Sequence, residues 1–416
     1  MFKHIRNILF IFIGMVAAGY LALVCVYALP TDHIQKNVME AANIMQADGS
    51  HPELIYGHQD TMLDNLTDSI MLGTARYENT ENIFTEALLS NRVVVNGMMD
   101  SEILAAEAAG KALDGNVSSY GRYWHGYLLY LKPLLMILNY GQIRYLIGFL
   151  QFSLFAGIMY LLVKSNKERH IIPFCVAYLF LNPATLSLSL QYFPAYVLTM
   201  IQFLIILLQE EKYKNSFIRW IYHFFVVGCL IAYFDFLTYP LLTIGMPLVF
   251  LMAENQNNIK ENIILFVGSC GAWGIGYAGM WGSKWALGTI FTRENMIADA
   301  LGNVLLRVGA TETEGKISVI EVLVKNLGAN KLCLLVSIIV FVCIIVCGLW
   351  KYKRINLKEL NAGVMLCALL PFAWYVVVSN HSLIHYWFTY RILAISVYAV
   401  LLAAISLFLK NSKEKI

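Results

Sequence analysis

Long apolar runs constrain this chain more than any other feature of its sequence. The first run follows a basic start, MFKHIRN, and reads ILFIFIGMVAAGYLALVCVYAL. About 20 apolar residues cross a bilayer as one helix, and this run exceeds the roughly 7–15 apolar residues of a signal peptide. We therefore expect an uncleaved first membrane helix whose basic end lies in the cytoplasm.

Nine further runs raise the expected number of transmembrane helices to about ten. Of the 416 residues, 59% are hydrophobic and only 14% are charged, whereas soluble domains carry about 25% charged residues. The sequence predicts an all-α polytopic membrane protein in which residues 1–416 form a single integral membrane domain. The further spans are expected at about 143–163, 170–187, 190–209, 217–234, 238–252, 261–281, 331–350, 362–379 and 391–409.

The positions of lysine and arginine predict the orientation, because short cytoplasmic loops are enriched in both residues. The turns expected near 188 and 235 carry neither. We therefore expect a multi-pass protein of the plasma membrane with both termini in the cytoplasm. The segments on the predicted cytoplasmic side contain Lys164, Lys167, Arg169, Lys212, Lys214, Lys260, Lys351, Lys353, Arg354, Lys358, Lys410, Lys413 and Lys415.

Two long segments then fall on the extracytoplasmic side, at about 31–142 and 282–330. The first contains ENIFTEALLS and SEILAAEAAGKAL, whose spacing of apolar residues is typical of amphipathic helices. We expect helices in this first extracytoplasmic loop that lie along the membrane interface. The segment 282–330 is expected to form a second large loop.

The net charge and the cysteines add little to the functional signal. The net charge of +3 is small and says little about partners. For a lipid-embedded chain we expect membrane lipids as partners and no nucleic acid. Each of the eight cysteines lies inside an apolar stretch, where a free thiol behaves as a small hydrophobic residue. We expect neither a disulfide framework nor a zinc site.

Three acidic residues of the first loop, Asp60, Asp64 and Asp68, recur every fourth residue. On a helix this spacing would stack the carboxylates on one face. Such a face could simply be solvated, could raise the pKa of one member, or could share a cation. Because Ile70 and Met71 follow at once, we expect the acids to lie against the membrane, where a carboxylate is costly and is often functional.

Polar residues in three other extracytoplasmic stretches are also candidates. Asp235, in FDFLTYP, is interpreted either as a site residue or as a helix cap. The stretch NHSLIHYWFTYR could anchor the chain at the interface, or its arginine and histidines could bind a lipid phosphate. The stretch YGRYWHGY could bind the same head group, could stack on a sugar, or could be an anchor. The candidate residues are Asp235, His381, His385, Tyr390, Arg391, Arg122, Trp124 and His125.

Taken together, DNLTDSIML, YGRYWHGY, FDFLTYPL and NHSLIHYWFTYR resemble segments of GT-C type membrane glycosyltransferases, which use polyprenyl-phosphate sugars in bacterial cell-surface polysaccharide synthesis. The resemblance implies transfer of a sugar, on the extracytoplasmic face, from such a donor to a glycan or lipid-linked acceptor. It implies that an acid of the first loop acts as the catalytic base or orients the acceptor, with Asp68 the first choice and Asp64 the second. Some members use a divalent cation, so Mg²⁺ or Mn²⁺ is possible.

The same resemblance assigns the other candidates. Arg391, His385 and His381 would bind the donor phosphate, and Arg122, Trp124, His125, Asp235 and Tyr390 would contact the substrates. Two alternatives remain open at this point. A polysaccharide polymerase or ligase would use a larger lipid-linked donor, and a lipid-linked sugar transporter (flippase) would move the donor without chemistry.

Overall fold

The computed structural model describes residues 2–78, 82–213, 216–255, 258–309 and 317–408. The predicted cytoplasmic Lys214, Lys410, Lys413 and Lys415 lie outside these residues, as do residue 409 of the last predicted span and residues 310–316 of the predicted second loop. The helices are α1 Phe2–Tyr27, α2 Asp32–Asp48, α3 Asn65–Arg76, α4 Ile83–Leu89, α5 Asp100–Ala108, α6 Leu128–Leu135, α7 Tyr140–Lys164, α8 Ile171–Phe180, α9 Pro183–Leu186, α10 Phe193–Tyr213, α11 Phe217–Phe234, α12 Leu242–Glu254, α13 Ile259–Phe291, α14 Met296–Arg307, α15 Val319–Ala329, α16 Lys331–Tyr352, α17 Ala362–Val377, α18 Ser379–Ile384, α19 Tyr386–Thr389 and α20 Ala394–Ser406.

Little else is regular in the described residues. Two short strands, β1 (Arg92–Val94) and β2 (Asn116–Ser118), pair antiparallel with Val93 opposite Val117. Short 3₁₀ turns cover Gln59–Thr61, Glu168–His170, Leu190–Tyr192, Leu357–Glu359 and Tyr390–Leu393.

The apolar helices confirm an all-α polytopic membrane protein. Among the described residues, seven helical segments are long and apolar enough to cross a bilayer. Three further predicted spans correspond to shorter helices, since α8 has 10 residues, α12 has 13 and α17 has 16. The total of ten therefore stays a prediction. The seven segments are Phe2–Tyr27, Tyr140–Lys164, Leu190–Tyr213, Phe217–Phe234, Ile259–Phe291, Lys331–Tyr352 and Tyr386–Ser406.

The span predicted at 170–187 is broken near its middle. Helix α8 ends at Phe180, and Asn182 then takes a left-handed conformation with φ 55°. Pro183 follows as the first residue of α9, a position that suits proline because its missing N–H has no helical partner. The break turns the chain into the loops described next.

The helices meet at two chemically different ends of the bundle. At what we call the loop end, the segment between α1 and α7 contacts the turns that follow α8 and α11 and precede α20 (for example, Asn182 to Asp60, 3.0 Å). Helices α4 and α5 occupy the two amphipathic stretches of that segment. At what we call the basic end, His4 of α1 bonds to Tyr222 of α11 (2.8 Å). The predicted orientation would place the loop end outside the cell.

The basic end is closed by buried ion pairs. Lys167 bonds to Glu210 of α10 (3.0 Å) and to Glu254 at the end of α12 (2.6 Å). Glu254 also accepts from Arg169 (2.5 Å) and lies 2.7 Å from His170. Because each charge is paired within the network, the cost of burying these groups is offset.

Helices α11 and α13 cross at two glycines. A Cβ atom at Gly228 would lie 2.1 Å from the Trp273 carbonyl oxygen, and one at Gly276 would lie 2.2 Å from the Phe225 carbonyl oxygen. Backbone atoms cannot yield as a flexible side chain can. The absence of a side chain at both positions therefore sets how closely the two helices pack.

We expect Gly228→Ala and Gly276→Ala each to lower the stability of the protein by about 1–3 kcal/mol, because the added methyl group overpacks the crossing. Thermal unfolding of the purified protein in detergent measures the effect. Gly271→Ala is the matched control on α13, since nothing lies within 4 Å of its Cβ position. Equal unfolding midpoints for all three variants would contradict the close-crossing interpretation.

Candidate functional site at the loop end

Asp68, in the first turn of α3, is fully buried, with 0% of its surface exposed. One carboxylate oxygen accepts hydrogen bonds from the Tyr140 hydroxyl (2.6 Å) and the Leu190 amide (2.8 Å), and the other accepts one from the Gln191 amide (3.1 Å). Burial raises the pKa of the Asp68 carboxyl to about 6. Asp68 thereby joins α3 to α7 and to the 3₁₀ turn that begins at Leu190.

The expected stack of Asp60, Asp64 and Asp68 on one helical face is not observed. Helix α3 begins only at Asn65, because the Asp64 side chain accepts a hydrogen bond from the Thr67 amide (2.9 Å) and caps the helix. Asp60 lies in the separate turn Gln59–Thr61. Burial raises the pKa of the Asp64 carboxyl to about 6.

Arg391 lies inside the protein, with 0% of its surface exposed. Its Nε donates to the Leu181 carbonyl (3.0 Å), and its terminal nitrogens donate to the Trp387 carbonyl (3.1 Å) and the Thr185 hydroxyl (2.7 Å). These contacts engage the guanidinium within the fold, so the geometry does not favour the predicted phosphate clamp at this residue. The guanidinium also lies over the rings of Tyr192, Tyr239 and Tyr390.

The segment 380–391 nevertheless meets the first loop. Tyr390 donates from its hydroxyl to the Asp60 carbonyl (3.2 Å). His51 lies 3.7 Å from the Asp64 carboxylate, and its ring packs 5.5 Å from the ring of Trp387. The two stretches that the sequence singled out are therefore neighbours at the loop end.

The two predicted histidines differ in their contacts. His381 is buried; its Nε2 contacts the Leu237 carbonyl (2.8 Å), and its Nδ1 contacts the Arg307 guanidinium (2.8 Å). Burial, followed by the nearby charge of Arg307, holds the pKa of His381 well below its usual value, so its ring is neutral. His385 stacks on Phe388, and its Nδ1 is buried without a hydrogen-bond partner.

Arg307 is the functional candidate that the sequence reasoning missed. It ends helix α14 and reaches across to His381, and it donates to the Tyr123 hydroxyl (2.6 Å). Its side chain is only partly buried, unlike that of Arg391. The available signal was an arginine in the last turn of an amphipathic helix within the predicted second loop.

Asp235 follows the last residue of α11 and is 4% exposed. Its Oδ2 accepts from the Thr238 amide (2.8 Å), while its Oδ1 is buried without a hydrogen-bond partner. Burial raises the pKa of the Asp235 carboxyl to about 7. The nearby hydroxyls of Tyr130 and Tyr277 also have no hydrogen-bond partner. Unpaired buried polar groups are costly, so this cluster is a candidate polar site.

Residues of the YGRYWHGY stretch are held by other parts of the loop end. Trp124 is buried, and its indole N–H donates to the Met280 carbonyl (2.6 Å) of α13. His125 is buried and contacts the Tyr120 carbonyl (2.8 Å) through Nε2. These contacts favour the anchor interpretation for Trp124 and His125, since neither ring is exposed.

Arg122 forms an ion pair with Asp299 of α14 (3.1 Å) and lies over the Tyr120 ring. It therefore attaches the YGRYWHGY stretch to the helix that carries Arg307. The predicted contact of Arg122 with substrate stays a prediction.

An apolar groove of about 310 Å³ runs between α16 and α20 towards the loop end. Leu327 of α15 forms part of its wall. The preceding residue, Asn326, donates to the Ser382 carbonyl (2.9 Å), and Ser382 is next to His381. The groove could therefore hold a hydrocarbon chain whose polar end reaches the histidine segment. Its lining includes Phe180, Leu327, Leu334, Ile338, Phe372, Leu393 and Val397.

In the part of the chain that the structure describes, no three His, Cys, Asp or Glu side chains are placed to hold a metal ion. The divalent cation that the resemblance left open stays a prediction. No protein-family model, curated protein or solved structure matches the chain. The fold itself defines the class, an all-α polytopic membrane protein, and the function must be inferred from the chemistry of its own side chains.

We expect Asp68→Asn to destabilise the protein by about 1–3 kcal/mol, because the amide group of asparagine would face donors and leave one of them unpaired. The measurement is the thermal unfolding midpoint in detergent. Asp48→Asn, at an exposed position at the end of α2, is the matched control. An unchanged midpoint for Asp68→Asn would show that the buried contacts are not structural.

Proposed function

We propose that the protein is a membrane glycosyltransferase that moves a sugar from a polyprenyl-phosphate donor to a glycan or lipid-linked acceptor. The reaction would take place at the loop end, which the predicted orientation puts on the extracytoplasmic face of the plasma membrane. The proposal rests on two features of the loop end. Asp235 has a carboxylate oxygen without a hydrogen-bond partner, and Arg307 contacts His381.

Arg307 and Asp235 approach the same part of the site. His381, which contacts Arg307, also contacts the carbonyl of Leu237, two residues after Asp235. Tyr277 lies within electrostatic range of both Asp235 and Arg307. A phosphate near Arg307 and a hydroxyl near Asp235 could therefore belong to one reacting complex. The apolar groove beside α15 supplies a place for the lipid chain.

In the proposed reaction the acceptor hydroxyl attacks the anomeric carbon of the sugar. A new carbon–oxygen bond forms while the bond from that carbon to the phosphate oxygen breaks. The hydroxyl proton passes to a carboxylate, and the polyprenyl phosphate leaves with the bonding electron pair. The Arg307 guanidinium would stabilise the charge that develops on the leaving phosphate.

The choice of carboxylate follows from hydrogen bonding. Both oxygens of Asp68, the first choice from the sequence, already accept hydrogen bonds, and Asp64 caps α3. Asp235 has an oxygen that accepts none, and a pKa of about 7 suits a general base near neutral pH. We therefore propose Asp235 as the base and Asp68 as a positioning residue.

We expect Asp235→Asn to lower the transfer rate by roughly 10²–10⁴-fold, because proton transfer by a positioned base typically contributes that much. Donor binding by the variant should change little. In the wild type, the transfer rate should rise as the pH passes about 7, because Asp235 then loses its proton. Transfer from a radiolabelled polyprenyl-phosphate hexose or pentose in proteoliposomes measures the rate. Wild-type transfer by the variant would remove Asp235 from the mechanism; loss in Asp68→Asn at unchanged stability would return the role to Asp68.

We expect Arg307→Ala to weaken donor binding by roughly tenfold or more, since hydrogen bonds to charged groups contribute about 1.5–3 kcal/mol. Binding of polyprenyl phosphate to the purified protein is the measurement. Arg293→Ala, an exposed arginine between α13 and α14, is the control and should bind normally. Equal affinities for the two variants would argue against a phosphate at Arg307.

The same proteoliposomes separate the alternative functions. Movement of the labelled donor across vesicles that contain no acceptor, without transfer, would replace the proposal with a flippase. Transfer only from an oligosaccharide donor would replace it with a polymerase or ligase.

A further inference from the structure

A second cavity lies at the opposite end of the bundle from Asp235. It has a volume of about 420 Å³ and opens between α10 and α11. Its walls extend from Gln202 and Leu230, within the two helices, to Tyr213 and Arg219, near the basic end. No residue of this cavity belongs to the site proposed above.

Three polar atoms in the walls are buried and unpartnered. They are the Gln202 side-chain oxygen, the Trp220 indole nitrogen and the His223 Nε2. Gln202 is 4% exposed and Trp220 is 2% exposed, so water outside the protein does not satisfy them. Burying polar groups without partners costs free energy. The combination of donors and an acceptor in one cavity indicates a polar ligand group that enters it.

The mouth of the cavity is basic. Arg219 is exposed and lies 3.8 Å from the Tyr213 ring centre. The contact between His4 and Tyr222 brings the basic start of α1, with Lys3 and Arg6, to the same end. Glu210, the nearest buried acid in α10, is paired with Lys167 at 3.0 Å. The charge at the entrance therefore favours an anion.

The remaining wall is apolar and belongs to two helices that are long enough to cross a bilayer. Ile205, Val226, Val227 and Leu230 form much of it, and both Leu190–Tyr213 and Phe217–Phe234 qualify as spans. An occupant therefore needs a hydrocarbon chain beside these residues and an anionic group near the helix ends. A phospholipid with a net negative head group has this chemistry.

We propose that the cavity between α10 and α11 binds an anionic phospholipid from the leaflet at the basic end. The lipid phosphate lies near Arg219 and His223, and the Trp220 indole N–H donates to a head-group oxygen. The Gln202 oxygen accepts from a head-group or glycerol hydroxyl. One acyl chain packs along Val226 and Leu230. This site is independent of the proposed transferase activity.

The test uses the full-length protein in detergent and native mass spectrometry with added phosphatidylglycerol or phosphatidylcholine. We expect the wild type to retain phosphatidylglycerol roughly tenfold more tightly than phosphatidylcholine. Both lipids carry a phosphate, but only phosphatidylglycerol has a net negative charge and head-group hydroxyls that can donate to the Gln202 oxygen. Arg219→Ala and Gln202→Leu should each reduce this preference. Arg293→Ala, at the other end of the bundle, should leave it unchanged.

The outcomes are distinct. Equal retention of the two lipids, or an unchanged preference in the double variant Arg219→Ala/Gln202→Leu, would overturn the proposal. Displacement of phosphatidylglycerol by millimolar inorganic phosphate would also overturn it, since the site would then serve a soluble anion. A second readout guards against misfolding: Gln202→Leu should keep or raise the lipid-free unfolding midpoint, because it removes an unpaired buried oxygen.

Discussion

The loop end is organised around one buried carboxylate. Asp68 binds the Tyr140 hydroxyl and two successive amides, those of Leu190 and Gln191. The next residue, Tyr192, lies under the guanidinium of Arg391. A carboxylate without these donors would be very costly at 0% exposure, so the first loop, the start of α10 and the start of α20 must be arranged together. The candidate site lies on this framework, in which we propose a positioning role for Asp68.

Buried ionic groups hold both ends of the bundle together. At the basic end Lys167, Glu210 and Glu254 satisfy one another, as expected of ionic groups that only hold helices together. At the loop end Asp235 and His385 each keep an unpartnered atom. Gln202, Trp220 and His223 also keep unpartnered atoms, towards the basic end. What distinguishes the loop end is that such atoms lie near the contact between Arg307 and His381.

Local patterns in the sequence predicted the seven long apolar helices, because an apolar run determines whether a segment can lie in a membrane regardless of its partners. They did not predict the break at Asn182. They also placed Asp68, His381 and Arg391 in regions that meet. They could not predict the bonding of each group, which depends on residues far away in the chain. Arg391 resembles an interfacial cation, yet contacts with Leu181 and Thr185 hold it inside. The proposed role of Arg307 depends on the contact between α14 and α18, which no local pattern encodes.

The close crossing of α11 and α13 links the framework to the site. Asp235 follows directly from the end of α11, and α14, with Arg307, follows α13 after a short turn. Helix α13 has 33 residues, about 50 Å at 1.5 Å per residue, which is longer than the ~30 Å hydrocarbon core. Its extra turns hold the first loop through Lys284, which donates to the Ala87 carbonyl (2.8 Å). Asp235, the proposed base, and Arg307, the proposed phosphate-binding cation, thus follow two helices that pack closely. Gly228 and Gly276 set how closely these helices approach. A fixed separation of this kind suits the proposed transfer, since the acceptor hydroxyl and the donor phosphate must both be held at the anomeric carbon.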